Sequence, residues 1–191
     1  TFQVTVNPLP TVTAVSSNTF ICINTPVTVT GGGASTYTLT SSAPGSYTSG
    51  VAFTPTTTAT YSMVGTSAAG CLGTNTAVQS ITVNALPTVT ATVTNTFICL
   101  NDPITLNSSG ANTYTWTSSA GGSYTNGISF SPTVTANYSV VGTSTAGCTN
   151  TNVAAVTVTV NPLPTLTAAS SNTFICLNST VSLSSSGANT Y

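Results

Sequence analysis

Five cysteines are the residues of this chain whose type and spacing point to covalent chemistry. Cys22 and Cys71 are about 50 residues apart, and Cys99 and Cys148 have the same separation. Cys176 follows Cys99 at the same interval at which Cys99 follows Cys22. The spacing predicts one disulfide inside each unit, Cys22 with Cys71 and Cys99 with Cys148, and a partner beyond the end of the chain for Cys176.

Free buried thiols and a metal site are the alternatives to these disulfides. The chain has no His and no Cys-x-x-Cys spacing, so we expect no metal and no cofactor. A disulfide that closes a loop of about 50 residues stabilises a domain by about 4 kcal/mol on the chain-entropy model. Because disulfides persist in oxidising compartments, the cysteines predict an extracellular protein.

Catalysis is not expected, because side chains that carry protons or charge are nearly absent. The chain has no Lys, Arg or His and a single acidic residue, so a Ser or Thr nucleophile has no neighbouring base. The acidic residue is Asp102, in Leu100-Asn101-Asp102-Pro103, where a turn or capping role is favoured over a functional one. We therefore predict that the chain is not an enzyme.

Three aromatic side chains, Trp116, Tyr47 and Tyr124, are candidate ligand contacts. Trp116 is the best single candidate, although a tryptophan on a middle strand is also typical of a buried core. The tyrosines alternate with polar residues, which favours core packing over a platform that stacks sugar rings.

These residues belong to a sequence repeat of about 77 residues. The segment Leu9-Pro10-Thr11-Val12-Thr13 recurs from Leu86 and, with one change, from Leu163. The predicted organisation is the last strand and linker of a preceding repeat at 1–9, repeats at 10–86 and 87–163, and the start of a further, truncated repeat at 164–191. Because sequence repeats of this length are typical of tandem arrays, we expect the modules to follow one another like beads on a string.

Apolar and hydroxyl residues alternate with a period of two inside each repeat. Val156, Val158 and Val160 share one face and Thr157 and Thr159 the other, which predicts half-buried strands. Turn residues separate roughly seven short strands per repeat, the number typical of a sandwich. The predicted fold class is therefore all-β, with tandem Ig-like β-sandwich modules of about 77 residues, joined by stiff proline-containing connectors.

The composition also restricts the partners. Charged residues make up 1% of the chain, so phosphate and anionic lipid are not attracted, and we expect no nucleic acid. No apolar run is long enough to cross a bilayer, so we expect no membrane insertion. A nearly neutral surface favours self-association or contact with neighbouring repeats of the same chain, or else a coat of O-linked glycans on Ser and Thr.

Several motifs resemble a known family. The segments Ile-Cys-x-Asn, Ser-Gly-Ala-Asn-Thr-Tyr-Thr-Trp and Gly-Cys-Thr-Asn are similar to the Ig-like and PKD-like tandem repeats of large Bacteroidetes secreted surface proteins, including gliding-motility-associated adhesins. The resemblance covers the whole chain and implies type IX secretion and a place on the cell surface. Antibody-type domains differ, because no Tyr stands two residues before Cys71 or Cys148.

Three functions fit these observations. The first is a structural component of an extracellular fibre, filament or stalk on a bacterial cell surface, since modules of equal length with stiff connectors build an extended array. The alternative is an adhesin array that binds polysaccharide or another cell through loops near Tyr47 and Tyr124. The third is an accessory array attached to a secreted hydrolase.

Overall fold

The structure, a computed structural model, describes residues 1–190, and all of its regular elements are β-strands. The predicted all-β class is therefore confirmed. The chain forms two compact units that interleave along the sequence. The first unit contains residues 1–89, 110–113 and 141–152, and the second contains 90–109, 114–140 and the described residues from 153 onward.

Six strands build the sheets of the first unit. They are β1 (Thr13–Ser16), β2 (Phe20–Cys22), β3 (Val29–Gly32), β4 (Thr36–Ser41), β5 (Ala59–Thr66) and β6 (Ala77–Asn84). Strands β1 and β3 pair antiparallel, and the other four form a sheet in the order β2-β6-β5-β4. Strand β2 runs parallel to β6, whereas β4 and β5 and the pair β5 and β6 are antiparallel.

Two isolated bridges extend these sheets to the arrangement of an immunoglobulin-type sandwich. Phe53 bridges Val27 beside the β1-β3 sheet, and Tyr47 bridges Leu39 beside the four-stranded sheet. Every second residue along the strands points inward, so each of the two sheets buries one face. The resulting core consists of Val12, Ile21, Val27, Val29, Leu39, Ala59, Tyr61, Met63 and Ile81. The fold is a β-sandwich, since apolar residues from two sheets pack face to face.

The second unit contains all or the greater part of each remaining strand. They are β7 (Thr90–Val93), β8 (Phe97–Cys99), β9 (Ile104–Ser109), β10 (Thr113–Ser118), β11 (Ser123–Tyr124), β12 (Ser129–Phe130), β13 (Ala136–Thr143), β14 (Ala154–Asn161), β15 (Thr167–Ser170) and β16 (Leu183–Ser186). The sheets have the orders β11-β10-β13-β14-β8, β12-β9-β7 and β15-β16. Buried side chains between the first two include Ile104, Leu106, Trp116, Tyr138 and Val158.

The strands recur with the period of the sequence. Strands β1, β7 and β15 begin at residues 13, 90 and 167, and β6 and β14 begin at 77 and 154. Residues 1–9 carry no regular structure in this chain, and their assignment as the last strand and linker of a preceding repeat stays a prediction. The connectors at 85–89 and 162–166 carry no regular structure, as the prolines predict.

None of the described residues belongs to a helix with the length and apolar character needed to cross a membrane.

Candidate functional site

A disulfide joins Cys22 to Cys148, with a Cα–Cα distance of 5.6 Å and a sequence separation of 126 residues. Both cysteines lie in the first compact unit. In sequence, however, Cys22 belongs to the predicted repeat 10–86 and Cys148 to the predicted repeat 87–163. The bond therefore connects the two repeats rather than closing either one. Cys71, Cys99 and Cys176 are free thiols in this structure.

Strand directions explain why the predicted bond between Cys22 and Cys71 does not form. Cys22 lies beside Asn84, the last residue of β6, because β2 runs parallel to β6 in that register. Cys71 lies before β6 begins, in the loop that follows β5, where Thr66 bridges Leu72. A strand of eight residues such as β6 spans about 23 Å. The two cysteines thus lie at opposite ends of one sheet, whereas a disulfide requires Cα atoms within about 7 Å.

The same geometry separates Cys99 from Cys148. Cys99 is the register partner of Asn161, the last residue of β14, and Cys148 lies before β14 begins. The predicted pairings Cys22 with Cys71 and Cys99 with Cys148 are therefore wrong. A constant interval between cysteines carries no information about which end of the sandwich each cysteine occupies. The end that each cysteine occupies is decided by the parallel pairing of the second and last strands of a repeat, β2 with β6 and β8 with β14.

Asp102 has the turn role that its sequence context predicts. Its Oδ2 accepts a hydrogen bond from the backbone N–H of Cys99 at 3.0 Å, and its own N–H donates to the carbonyl of Cys99 at 3.0 Å. Asn101 between them has a positive φ of 71°. The carboxylate therefore fastens the turn that carries Cys99, and no three Cys or acidic side chains within residues 1–190 are grouped to hold a metal ion.

Two surface pockets hold the tyrosines that the sequence singled out. The pocket at Tyr47 has a volume of about 250 Å³ and the pocket at Tyr124 about 240 Å³. Nearly every lining residue of one pocket has its counterpart, one repeat away, in the other. The first is lined by Ala43, Pro44, Tyr47, Thr54, Pro55, Thr56, Thr57 and Tyr61, and the second by Ala120, Tyr124, Phe130, Ser131, Pro132, Thr133, Val134 and Tyr138. Both pockets lack charged residues.

Hydrogen bonds and ring contacts hold each pocket tyrosine in place. The hydroxyl of Tyr47 donates to the carbonyl of Pro44 at 3.0 Å, and its ring centroid lies 4.8 Å from that of Phe53. The hydroxyl of Tyr124 donates to the carbonyl of Gly121 at 3.2 Å. Both tyrosines are half-buried. The rings are therefore rigid pocket walls with a partly accessible face.

Trp116 is not a ligand contact in this structure. The side chain has 0% exposure, and its indole Nε1–H donates to Oδ1 of Asn126 at 3.2 Å. The expectation of a core tryptophan on a middle strand is confirmed, and its candidacy as a ligand contact is wrong, because a fully buried indole has no surface to offer. Its polar atom is satisfied inside the protein, as buried tryptophans require.

Burial raises the pKa of Tyr61, and the neighbouring Tyr47 raises it further. Tyr138 behaves in the same way, since burial raises its pKa and Tyr124 adds to the rise. Ser41 lowers the pKa of Tyr61, whereas Tyr47 raises it. The Tyr61 hydroxyl itself makes no well-formed hydrogen bond. The cause of both shifts is that a phenolate loses its hydration inside the sandwich.

Alkaline titration should separate these two tyrosines from the others. A pKa that is higher in the folded than in the unfolded chain means that the fold prefers the protonated phenol. This contribution to stability is fully present below the unfolded tyrosine pKa of about 10 and is lost as the pH rises through the raised folded value. Phenolate absorbance should show two late-titrating tyrosines that rejoin the rest in denaturant. A single tyrosine class in the folded chain would contradict the burial.

Comparison with known proteins leaves the family of the chain open. No protein-family model matches the sequence, and neither does any curated protein. A solved structure of a 1.5-MDa bacterial ice-binding adhesin is 15% identical over 86% of this chain and 70% of that chain, with a TM-score of 0.43.

Two further solved structures are similar at the same level. A Ca²⁺-stabilized adhesin with which an Antarctic bacterium binds ice is 18% identical over 86% of this chain, with a TM-score of 0.44, and this chain spans 52% of it. Murine CEACAM1b is 12% identical over 80% of this chain and 100% of that chain, with a TM-score of 0.37. Because these scores are low, the β-sandwich assignment rests on the strand topology described above.

Proposed function

We propose that this chain is a structural component of an extracellular fibre or stalk on a bacterial cell surface, built from tandem Ig-like repeats. The observation that carries the proposal is the disulfide between Cys22 and Cys148. Because the bond joins cysteines of two successive sequence repeats, it holds neighbouring repeats of an array together covalently. The same bond supports an oxidising, extracellular location, because disulfides persist in such compartments.

The bond changes how the chain transmits tension. When the two termini are pulled apart, the force passes through the sulfur atoms of Cys22 and Cys148 and bypasses the residues between them. Those residues form most of both repeats, because the cysteines are 126 positions apart. A module that unfolds inside the loop therefore adds no length to the fibre. The disulfide therefore sets an upper limit on the length of a stalk under load.

The surface composition supports the same conclusion. Hydroxyl side chains replace charges, with charged residues at 1%. Copies of such a surface do not repel one another, which favours lateral or end-to-end association. Enzymatic function is not proposed, since the chain has no Lys or His that could act as a base beside a Ser or Thr nucleophile.

Single-molecule pulling of the full chain tests the proposal. At about 3.4 Å per residue, opening the bond should lengthen the fully extended chain by about 430 Å, since 126 positions separate the cysteines. We expect this gain when a reductant is added to the oxidised chain. The Cys22→Ser variant should have the longer extension from the start, and the Cys71→Ser variant should behave like the parent.

An unchanged extension after reduction would remove the load-limiting role and with it the main argument for a stalk. A gain that disappears in Cys71→Ser instead of Cys22→Ser would also contradict it, because the bond would then have a different partner.

An adhesin array that binds polysaccharide is a second candidate, favoured by the recurrence of the uncharged pocket at Tyr47 and Tyr124. Tyrosine faces and threonine hydroxyls suit a neutral sugar, which offers C–H faces and hydroxyls in return. Co-sedimentation of the full chain with an insoluble neutral polysaccharide tests this candidate. Binding that weakens when Pro55 and Pro132 are both replaced by Ala would support the pockets, and a chain that stays in the supernatant with every polysaccharide would exclude them.

A further inference from the structure

Asn126 and Gly127 are the one Asn-Gly pair in the sequence. In such a pair the backbone nitrogen of the glycine attacks the side-chain carbonyl carbon of the asparagine more readily than in other pairs, because glycine has a permissive backbone and no side chain to shield the nitrogen. The product is a five-membered succinimide ring, which water opens to aspartate or isoaspartate. The rate of this modification in the protein depends on whether the fold lets the ring close.

The pair lies at the centre of a tight turn that opposes ring closure. The N–H of Ile128 donates to the carbonyl of Thr125 at 3.2 Å, and Gly127 has a φ of 76°. This combination is typical of a type II turn, in which ψ of the first central residue is about +120°. The succinimide requires a very different ψ, because the ring nitrogen must eclipse Cβ of Asn126. The turn must therefore open before the ring can form.

The reacting nitrogen is also occupied by a hydrogen bond. The N–H of Gly127 donates to the carbonyl of Leu106, in strand β9, at 2.9 Å, and Leu106 is fully buried. Attack on Asn126 requires that this N–H lose its proton to a base in the solvent. The hydrogen bond keeps the proton on the nitrogen and directs it toward the sheet, so the folded chain offers a poor nucleophile.

The side chain under attack is held in place as well. Oδ1 of Asn126 accepts hydrogen bonds from the Ser108 hydroxyl at 2.8 Å and from Nε1–H of Trp116 at 3.2 Å. The indole is fully buried, and the Asn126 side chain is half-buried. Rotation of the amide toward the Gly127 nitrogen would break both bonds and leave the buried indole N–H without its partner, which costs free energy.

The first repeat forms the same turn without the reactive pair. Ser49 and Gly50 occupy the corresponding positions. Gly50 has a φ of 77°, and its N–H donates to the carbonyl of Val29 at 2.9 Å, as the N–H of Gly127 does to Leu106. The turn therefore does not require asparagine, and serine is a replacement that the same turn accommodates elsewhere in the chain.

We propose that Asn126 is a deamidation site that the fold protects and that reacts when its turn opens. The co-reactant is water, and the group lost is ammonia. Isoaspartate adds a methylene group to the backbone, so the turn at Gly127 cannot form again with the same hydrogen bonds, and refolding does not reverse the change. The modification records the opening of this part of the chain, and it does not depend on the proposed fibre function.

The reaction balances with water as its co-reactant. Hydroxide removes the proton from the Gly127 nitrogen, which forms a bond to Cγ of Asn126. The Cγ–Nδ2 bond then breaks, and the amide nitrogen takes a proton from water and leaves as ammonia, which regenerates hydroxide. Water adds to one of the two carbonyl carbons of the ring, the bond from that carbon to nitrogen breaks, and a carboxylic acid forms and ionises.

Incubation of the full chain at mildly alkaline pH, folded or in guanidinium chloride, tests the proposal. A synthetic peptide of residues 123–130 in both solutions corrects for the effect of the denaturant on the reaction itself. The chain has one acidic side chain and no Lys, Arg or His, so isoelectric focusing resolves a product with one more carboxylate. We expect Asn126 to react more than about tenfold more slowly in the folded chain than in the unfolded chain, since only the open population reacts.

Two variants test the site and the restraint on its side chain. Asn126→Ser should give no comparable acidic product in either state. Ser108→Ala should react faster than the parent when folded and at the same rate when unfolded, because it lacks one of the two donors to Oδ1 of Asn126. Mass spectrometry of the digested chain assigns the modified residue.

Three outcomes overturn the inference. The first is an equal rate at Asn126 in the folded and the unfolded parent chain. The second is an acidic product that forms as fast in Asn126→Ser as in the parent. The third is a folded Ser108→Ala variant that reacts no faster than the folded parent.

Discussion

Replacing Cys22 with Ser is expected to lower the free energy of unfolding by about 5 kcal/mol on the chain-entropy model, because the bond closes a very long loop. The loop spans 126 residues, so the unfolded chain gains much freedom when the bond is absent. Chemical denaturation followed by far-ultraviolet circular dichroism measures the loss. A decrease of this size is a large part of the roughly 5–15 kcal/mol that is typical of folded domains.

Cys71→Ser is the matched control for this variant. Cys71 is a partly buried free thiol, so its replacement should change the stability by no more than about 0.5 kcal/mol. Cys148→Ser should behave like Cys22→Ser, and the double variant of the two should be no worse than either alone. Equal losses for Cys22→Ser and Cys71→Ser would instead establish a bond between those two residues, against the geometry of β2 and β6.

Trp116→Ala is expected to destabilise the protein by about 3–5 kcal/mol, the range for truncating a large buried aromatic residue. The indole is fully buried. Its partner Asn126 also accepts a hydrogen bond from the Ser108 hydroxyl at 2.8 Å, so the truncation leaves a cavity and no unsatisfied acceptor. Because Trp116 is the single tryptophan of the chain, its replacement removes the usual fluorescence probe of unfolding. Denaturation followed by circular dichroism therefore measures the loss of stability.

The first repeat shows how the same space is filled without tryptophan. Leu39 is the residue of the first repeat that corresponds to Trp116, and its register partner is Met63. Val140 is the residue of the second repeat that corresponds to Met63. The first repeat thus combines a smaller residue with a larger partner, and the second repeat does the reverse, which keeps the total core volume similar.

A double variant uses this exchange as a control. Trp116→Leu alone should lose less stability than Trp116→Ala, and adding Val140→Met should recover part of that loss, because neighbouring core residues share volume and their effects are not additive. If the double variant is no more stable than Trp116→Leu, the two positions do not compensate each other. The difference between the repeats would then need another explanation.

Local features of the fold could be predicted because they depend on neighbours in sequence. The alternation in Val156, Val158 and Val160 is a two-residue pattern, and strands β13 and β14 follow from such patterns. The tight turn at Asp102 is likewise local, since its hydrogen bonds join Asp102 to Cys99 within the same turn. The buried tryptophan was predictable from its place on a middle strand.

The disulfide partner could not be predicted from spacing. The interval between Cys22 and Cys71 is compatible with cysteines at the same end or at opposite ends of a sandwich. Which of these holds depends on the direction of β2 relative to β6, a contact between strands far apart in sequence, as in the pair Phe20 and Thr82. Parallel pairing of these strands sends Cys22 and Cys71 to opposite ends.

The sequence by itself determined the all-β class, the repeat period and the position of the cysteines within each repeat, because each of these is written in residue type and short-range order. The tertiary structure decided which cysteines meet and which aromatic residues reach the surface. Those outcomes depend on pairing between strands that are far apart in sequence. The parallel pairing of β2 with β6 separates Cys22 from Cys71 by about the length of β6, roughly 23 Å, although their spacing had predicted a bond.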